Sequence, residues 1–134
     1  MAGNLVVIDT NVFVSACLSE HQSPPTEIAM LVWNNLLKVG YDERIMKEYL
    51  NVFHRPELEL NPDKVQMILT AVKYYGVSVT PFQLEQRTSD PDDQPFYEVA
   101  ALCFCPLVTG NKKHFPDEPH IVTPAEYIES MRGE

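Results

Sequence analysis

The chain has 134 residues, which suits one ordinary domain with a single core, residues 1–134. Hydrophobic residues make up 45% and charged residues 22%, which excludes a disordered chain. The net charge of −9 excludes a protein that grips nucleic acid by bulk electrostatics alone, because phosphates demand Lys and Arg. It leaves open a nuclease whose acids are neutralised by bound metal, or a protein with a basic partner.

No apolar run approaches the roughly 20 residues that cross a bilayer. The N-terminus has no basic region, and Leu5–Ile8 is too short for the core of a signal peptide. Cys17, Cys103 and Cys105 are an odd number in apolar stretches, which points to buried thiols in a reducing cytoplasm.

Leu5-Val6-Val7-Ile8 is a β-branched run ending in Asp9-Thr10-Asn11, the pattern of a strand covered on both faces. Asn11 to Leu18 reads as a short helix, and Ser19 to Pro25 as a loop. The next helix opens at Pro25 and carries Ile28, Leu31, Val32 and Leu36 at a 3.6-residue period, with Gly40 as a break after it. Leu36 to Val39 is short enough to be either the end of that helix or a strand. Glu43 to Phe53 is a helix stopped by Pro56, with Ile45, Met46, Tyr49, Leu50 and Phe53 on its apolar face. Asp63 to Tyr75 is another, with Pro62 at its mouth and Gly76 at its end.

Val77 to Val79 is a short strand, followed by a polar loop that ends in an acidic cluster. Pro95 to Cys105 is a helix, Leu107 to Gly110 a strand and turn, Ile121-Val122 a last strand, and Pro124 to Met131 a terminal helix. Strands alternating with helices give an α/β domain around a mostly parallel sheet. In such sheets ligands bind beyond the carboxyl ends of the strands, where Asp9, the Asp90–Asp93 cluster and Asn111 all fall.

Each acid has a plain alternative. Asp9 at the mouth of a helix is either an N-cap or a metal ligand. Glu48 sits at the border of its helix's apolar face and either pairs with Arg44 or Arg55 or reaches the sheet rim, leaving Lys47, His54 and Arg55 to meet phosphates. Of Asp90, Asp92 and Asp93, one suffices as a cap. Asp93 shares a helical face with Phe96, Ala100 and Phe104 and is expected to aim inward, with Asp90 and Asp92 supporting it. Carboxylates without a matching His or Cys set favour a hard ion bound through oxygen, Mg2+ or Mn2+. Such an ion can activate water and offset the charge of a phosphodiester transition state. Neither the four histidines nor Cys103-Phe104-Cys105 has zinc-like spacing, and no P-loop, dinucleotide fingerprint or nucleophile elbow is present. An aspartyl-phosphate mechanism at Asp9 would call for Asp-x-Asp, and position 11 is Asn. Trp33, Phe53, Tyr74, Tyr75, Phe96 and Phe104 read as core or dimer surface.

The segments Val6-Val7-Ile8-Asp9-Thr10-Asn11-Val12, Glu48-Tyr49, Asp90-Pro91-Asp92-Asp93 with Phe96, Glu98 and Ala100, and Val108-Thr109-Gly110-Asn111 with Lys113-His114-Phe115 together resemble the PIN domain family. Their order matches, and they span nearly the whole chain, which looks most like the VapC-like toxins of toxin–antitoxin pairs. The resemblance implies a three-layer, Rossmann-like α/β/α fold and Mg2+- or Mn2+-dependent ribonuclease activity, with Asp9, Glu48 and Asp93 as catalytic acids and metal ligands. Asn111 would be a fourth ligand. Thr10, Asn11, Asp90, Asp92 and Thr109 would support these residues, while Arg44, Lys47, Lys112 and Lys113 meet the substrate. It also implies a cytoplasmic homodimer and a cognate antitoxin, often basic. One departure stands out: many PIN nucleases carry an acid where this chain has Asn111, so the second metal and full activity are in question. A catalytically impaired binding module is the competing reading.

Overall fold

The computed structural model describes residues 4–133. Five short strands, β1 (Leu5–Ile8), β2 (Lys38–Tyr41), β3 (Val77–Ser78), β4 (Leu107–Val108) and β5 (Ile121–Val122), form one sheet in the order β3-β2-β1-β4-β5. Every neighbouring pair is parallel. Six helices connect and follow them: α1 (Thr10–Leu18), α2 (Pro24–Trp33), α3 (Glu43–Phe53), α4 (Pro62–Tyr75), α5 (Gln94–Cys103) and α6 (Pro124–Arg132). This is the parallel α/β arrangement that the alternation predicts and the three-layer fold that the resemblance implies. α2 packs against α1, α4 and α6, while α5 packs against β1, β2 and β4.

The central strand carries the most uniformly apolar run. Val6, Val7 and Ile8 have no exposed surface, as a strand with helices on both faces requires. Each contributes roughly 1.5–3 kcal/mol of burial at most. Phe13, Tyr49, Phe53 and Phe96 join the core as an aromatic cluster with ring centroids 5.5–6.2 Å apart.

Helix starts follow their caps. The Ser23 side chain accepts from the Thr26 N–H, Asp42 from Arg44 and Ile45, and Asn61 from Asp63 and Lys64. Thr123 and Glu126 close a reciprocal capping box on α6. α3 occupies the span its pattern predicts, although Leu50, expected on its buried face, is 44% exposed.

One glycine expectation needs correction. Gly40 does not break α2: it lies inside β2. The chain leaves α2 instead through Asn35 at φ 57°, a left-handed turn that Asn tolerates. Gly76 ends α4 with an extended backbone, and what requires glycine there is space, since a Cβ would stand 2.3 Å from the Val72 carbonyl oxygen and 2.7 Å from that of Val39. Gly110 has no positive φ, so the turn after β4 does not depend on one.

Candidate active site

The strand order sets the location. From β1 the chain adds β2 and then β3 on one side, then crosses back to place β4 and β5 on the other. The carboxyl ends of β1 and β4 therefore flank the point where the winding reverses, the crevice in which such sheets bind ligands. Ile8 of β1 pairs with Val108 of β4, so the next residues, Asp9 and Thr109, leave the sheet side by side. The Asp9 N–H donates to the Val108 carbonyl, and the Thr109 N–H to that of Val122.

Asp9 occupies the N-cap position of α1, yet its carboxylate makes no capping bond. It is buried, accepts from the Thr109 hydroxyl at 2.7 Å and lies 3.3 Å from the Asn11 amide nitrogen. Desolvation dominates its acidity and raises its pKa to about 6; the Thr109 bond opposes this, and the charge of Asp93 adds to it.

Glu48 projects from α3 and accepts a short hydrogen bond from the Thr10 hydroxyl. It pairs with neither Arg44 nor Arg55, although the Arg55 charge acts on it. Burial pushes its pKa up, Thr10 opposes, and Asp9 and Asp92 push it further. Behind it, the Tyr49 hydroxyl donates to the Ile8 carbonyl at 2.5 Å, tying α3 to the end of β1. Burial and the charges of Asp9 and Glu48 hold the Tyr49 phenol well above its ordinary value.

Asp93 sits where the Pro91–Asp93 3-10 turn runs into α5, and it too makes no capping bond. Asp90 caps that turn by accepting from the Asp92 N–H, and both Asp90 and Asp92 are exposed. Asp93 Oδ2 lies 3.2 Å from His114 Nδ1. Its pKa is raised by burial and by Asp90, lowered by His114 and raised by Glu48. Asp9, Glu48 and Asp93 thus each sense another of the three as a repelling charge.

The sequence pattern did not single out His114 as a site residue. The Lys112–His114 turn brings it back to the acidic loop, where its carbonyl accepts from the Ser89 N–H and hydroxyl. Its signal was a place in the Lys113-His114-Phe115 segment. Asn111 stands at the same rim: its N–H donates to the Thr109 hydroxyl, while the neighbouring Gly110 N–H donates to Asn11 Oδ1.

Two expected substrate contacts lie differently. The Arg44 guanidinium is committed to Asp42 at 2.7 Å and to Glu98 at 2.8 Å. Lys112 is 3.2 Å from Glu126. Lys47 and Lys113 are exposed. Phe104, expected on the inward face with Asp93, is 96% exposed, because α5 ends at Cys103 and Phe104 turns out at φ 52°.

Asp42 and Glu98 went unnoticed as a pair because their shared partner, Arg44, meets Glu98 across 54 positions of sequence. Glu98 also accepts from the Leu84 N–H and the Gln94 amide, and Gln94 in turn holds Thr88 and Gln86. Burial raises Glu98, but these donors and Arg44 outweigh it and lower its pKa.

The family model of the PIN domain matches residues 5–113. The chain belongs to the PIN domain family. PIN domains are generally nucleases that use divalent metal ions. An uncharacterized protein of Methanocaldococcus jannaschii is 31% identical over 110 residues, covering 80% of this chain and 70% of that protein. No solved structure matches the chain.

The donor chemistry of this PIN site fits a hydrated divalent ion: desolvated carboxylates that repel one another, with no Lys or Arg bonded to them and only the His114 imidazole beside Asp93. It does not form a protein cage. Among the described residues no three His, Cys, Asp or Glu side chains come close enough to enclose an ion. Mg2+ is usually held by one or two carboxylates, with water and phosphate completing the shell.

Proposed function

We propose that this PIN protein is a metal-dependent endoribonuclease whose Asp9, Glu48 and Asp93 hold Mg2+ or Mn2+, with Asn111 offering a neutral oxygen at the same rim. The observation that carries this reading is Asp9. A buried carboxylate at the winding switch, neither capping its helix nor paired with a cation, is held in its rotamer by Thr109 across 100 positions of sequence. Such a group costs stability unless a cation arrives.

A bound divalent ion supplies an activated water and a counter-charge for the phosphate. The chain's own residues do the positioning. Thr109 orients Asp9, Thr10 orients Glu48, and His114 steers Asp93. Tyr49 fixes the distance between α3 and the end of β1. Lys113 and Lys47 are exposed cations available to the flanking phosphates.

Incubating labelled single-stranded RNA with the protein and Mn2+ or Mg2+ tests the reading. Cleavage that stops in EDTA and in Asp9→Asn supports it, and cleavage unchanged in that variant would sink it.

The further assignment as a toxin, cytoplasmic, homodimeric and bound by a basic antitoxin, is part of the same proposal; the net charge of −9 supports the last element. A second reading, a PIN module that binds without cutting, draws on Asn111 and on the absence of a preformed three-acid cage among the described residues. Calorimetry separates the two, since Mn2+ binding that disappears in Asp93→Ala favours the nuclease.

A further inference from the structure

Beside the acids lies an open cleft of about 470 Å3, walled by the start of α1, the mouths of α2 and α6, and the Gly110-Asn111 turn. Asn11 is the partition between the two spaces. Its amide nitrogen faces Asp9 and its oxygen accepts from the Gly110 N–H, and the same side chain lines the cleft.

In a chain of net charge −9, the lining of this cleft carries no ionisable side chain. That disfavours a charged occupant: a phosphate would gain no Lys or Arg, and a cation no carboxylate. Rigid apolar faces come from Pro24, Pro25 and Pro124. Polar edges come from Ser15, Asn111 and Thr123. Ser15 and Asn111 have no side-chain hydrogen bond within the described chain, and the Thr123 oxygen accepts from Glu126, so its own proton is free to donate. A flat, neutral group with hydrogen-bonding edges matches these walls, and the volume lies within the usual range of small-ligand sites.

We infer that this cleft is a nucleobase subsite, taking one unpaired base of the strand whose phosphate lies at Asp9. The inference rests on the nuclease reading for the identity of the strand and adds a consequence to it. A base can enter only when it is splayed from its partner, so the substrate is single-stranded at this point.

The test uses fluorescence anisotropy of the full chain, in EDTA, with a short single-stranded RNA of mixed sequence, and with the same backbone carrying abasic positions. Ser15→Phe and Ala125→Tyr each place a ring in the cleft from an exposed helical position. The wild type is expected to bind the base-bearing strand about tenfold more tightly than the abasic one, a difference of about 1.4 kcal/mol. Both variants are expected to lose most of that preference while binding the abasic strand as the wild type does. Equal affinity of the wild type for both strands overturns the subsite, as does a preference that survives in both variants. The nuclease reading fails separately, by absence of metal-dependent cleavage in a protein that still discriminates the two strands.

Discussion

Among the described residues, two groups of buried or half-buried acids are resolved in opposite ways. Asp42 and Glu98 share Arg44, and Glu98 accepts two further hydrogen bonds, so its pKa falls. Asp9 and Glu48 are held by neutral donors, the Thr109 hydroxyl and Asn11 amide for Asp9 and the Thr10 hydroxyl for Glu48, and Asp93 by a histidine; all three rise, Asp9 to about 6. Both groups lie near α3 and α5, so burial alone does not separate them. The difference lies in compensation. The first group is complete within the chain and ties the Phe82–Thr88 loop to the helices. The second is left short of positive charge where the sheet opens, which is how a site for an external cation differs from a structural ion pair.

The largest effect expected from breaking this contrast is on activity. Asp9→Asn should lower metal-dependent RNA cleavage by more than about a hundredfold, since partners one step removed from a metal are already worth about ten- to a hundredfold. The same change should leave thermal stability in EDTA equal or higher, because it removes a desolvated charge. Next comes Glu98→Ala, which leaves Arg44 with Asp42 alone and strands the Leu84 N–H and the Gln94 amide. It should cost about 3 kcal/mol by urea denaturation, the low end for breaking a buried pair, because Arg44 keeps part of its surface in water. A destabilising Asp9→Asn beside a neutral Glu98→Ala would invert the comparison.

The sequence disclosed the helices well and the acid pairs unevenly. Caps and periodicity are local, so α3 falls on its expected span. β2 is ambiguous in the sequence because its apolar run is short and includes Gly40, a residue that weakens a strand. Phe104 departs from its expected place for a related reason. Helical spacing projects it inward only if α5 continues, and the helix ends one residue earlier. The rule that ligands sit at strand ends puts Asp9, Thr109 and Asn111 at one rim without any knowledge of contacts. No rule of spacing shows that Arg44 turns to Glu98 and away from the rim, because that choice is made by packing across the fold.

The contrast also has a pH signature, best measured as melting temperature in EDTA. Glu98 has a lowered folded-state pKa, so its stabilisation is complete above the ordinary glutamate value and is lost as pH falls through the folded one. Asp9 has the opposite sign. With a folded pKa of about 6 against an ordinary 3.8, its contribution is complete below 3.8 and is lost as pH rises through about 6. Between neutrality and about pH 5 the metal-free protein should therefore gain a few degrees on acidification, and Asp9→Asn should remove that gain. At lower pH stability should fall, and Glu98→Gln should flatten that fall.

The smallest effects concern the basic residues, and they show whether the two regions are separate in use as well as in charge. Lys113 is exposed and forms no ion pair among the described residues, so Lys113→Ala should weaken RNA binding a few-fold and reduce the slope of log affinity against log salt by about one. Lys112 shares its ammonium with Glu126, and its removal should change the slope by less. Arg44→Gln should leave the slope unchanged while lowering stability, because its guanidinium already serves Asp42 and Glu98. The decisive comparison is Arg44 against Lys113. If Arg44→Gln reduces the slope as much as Lys113→Ala does, Arg44 leaves its acids to meet phosphate, and the paired group is part of the substrate surface rather than a brace behind it.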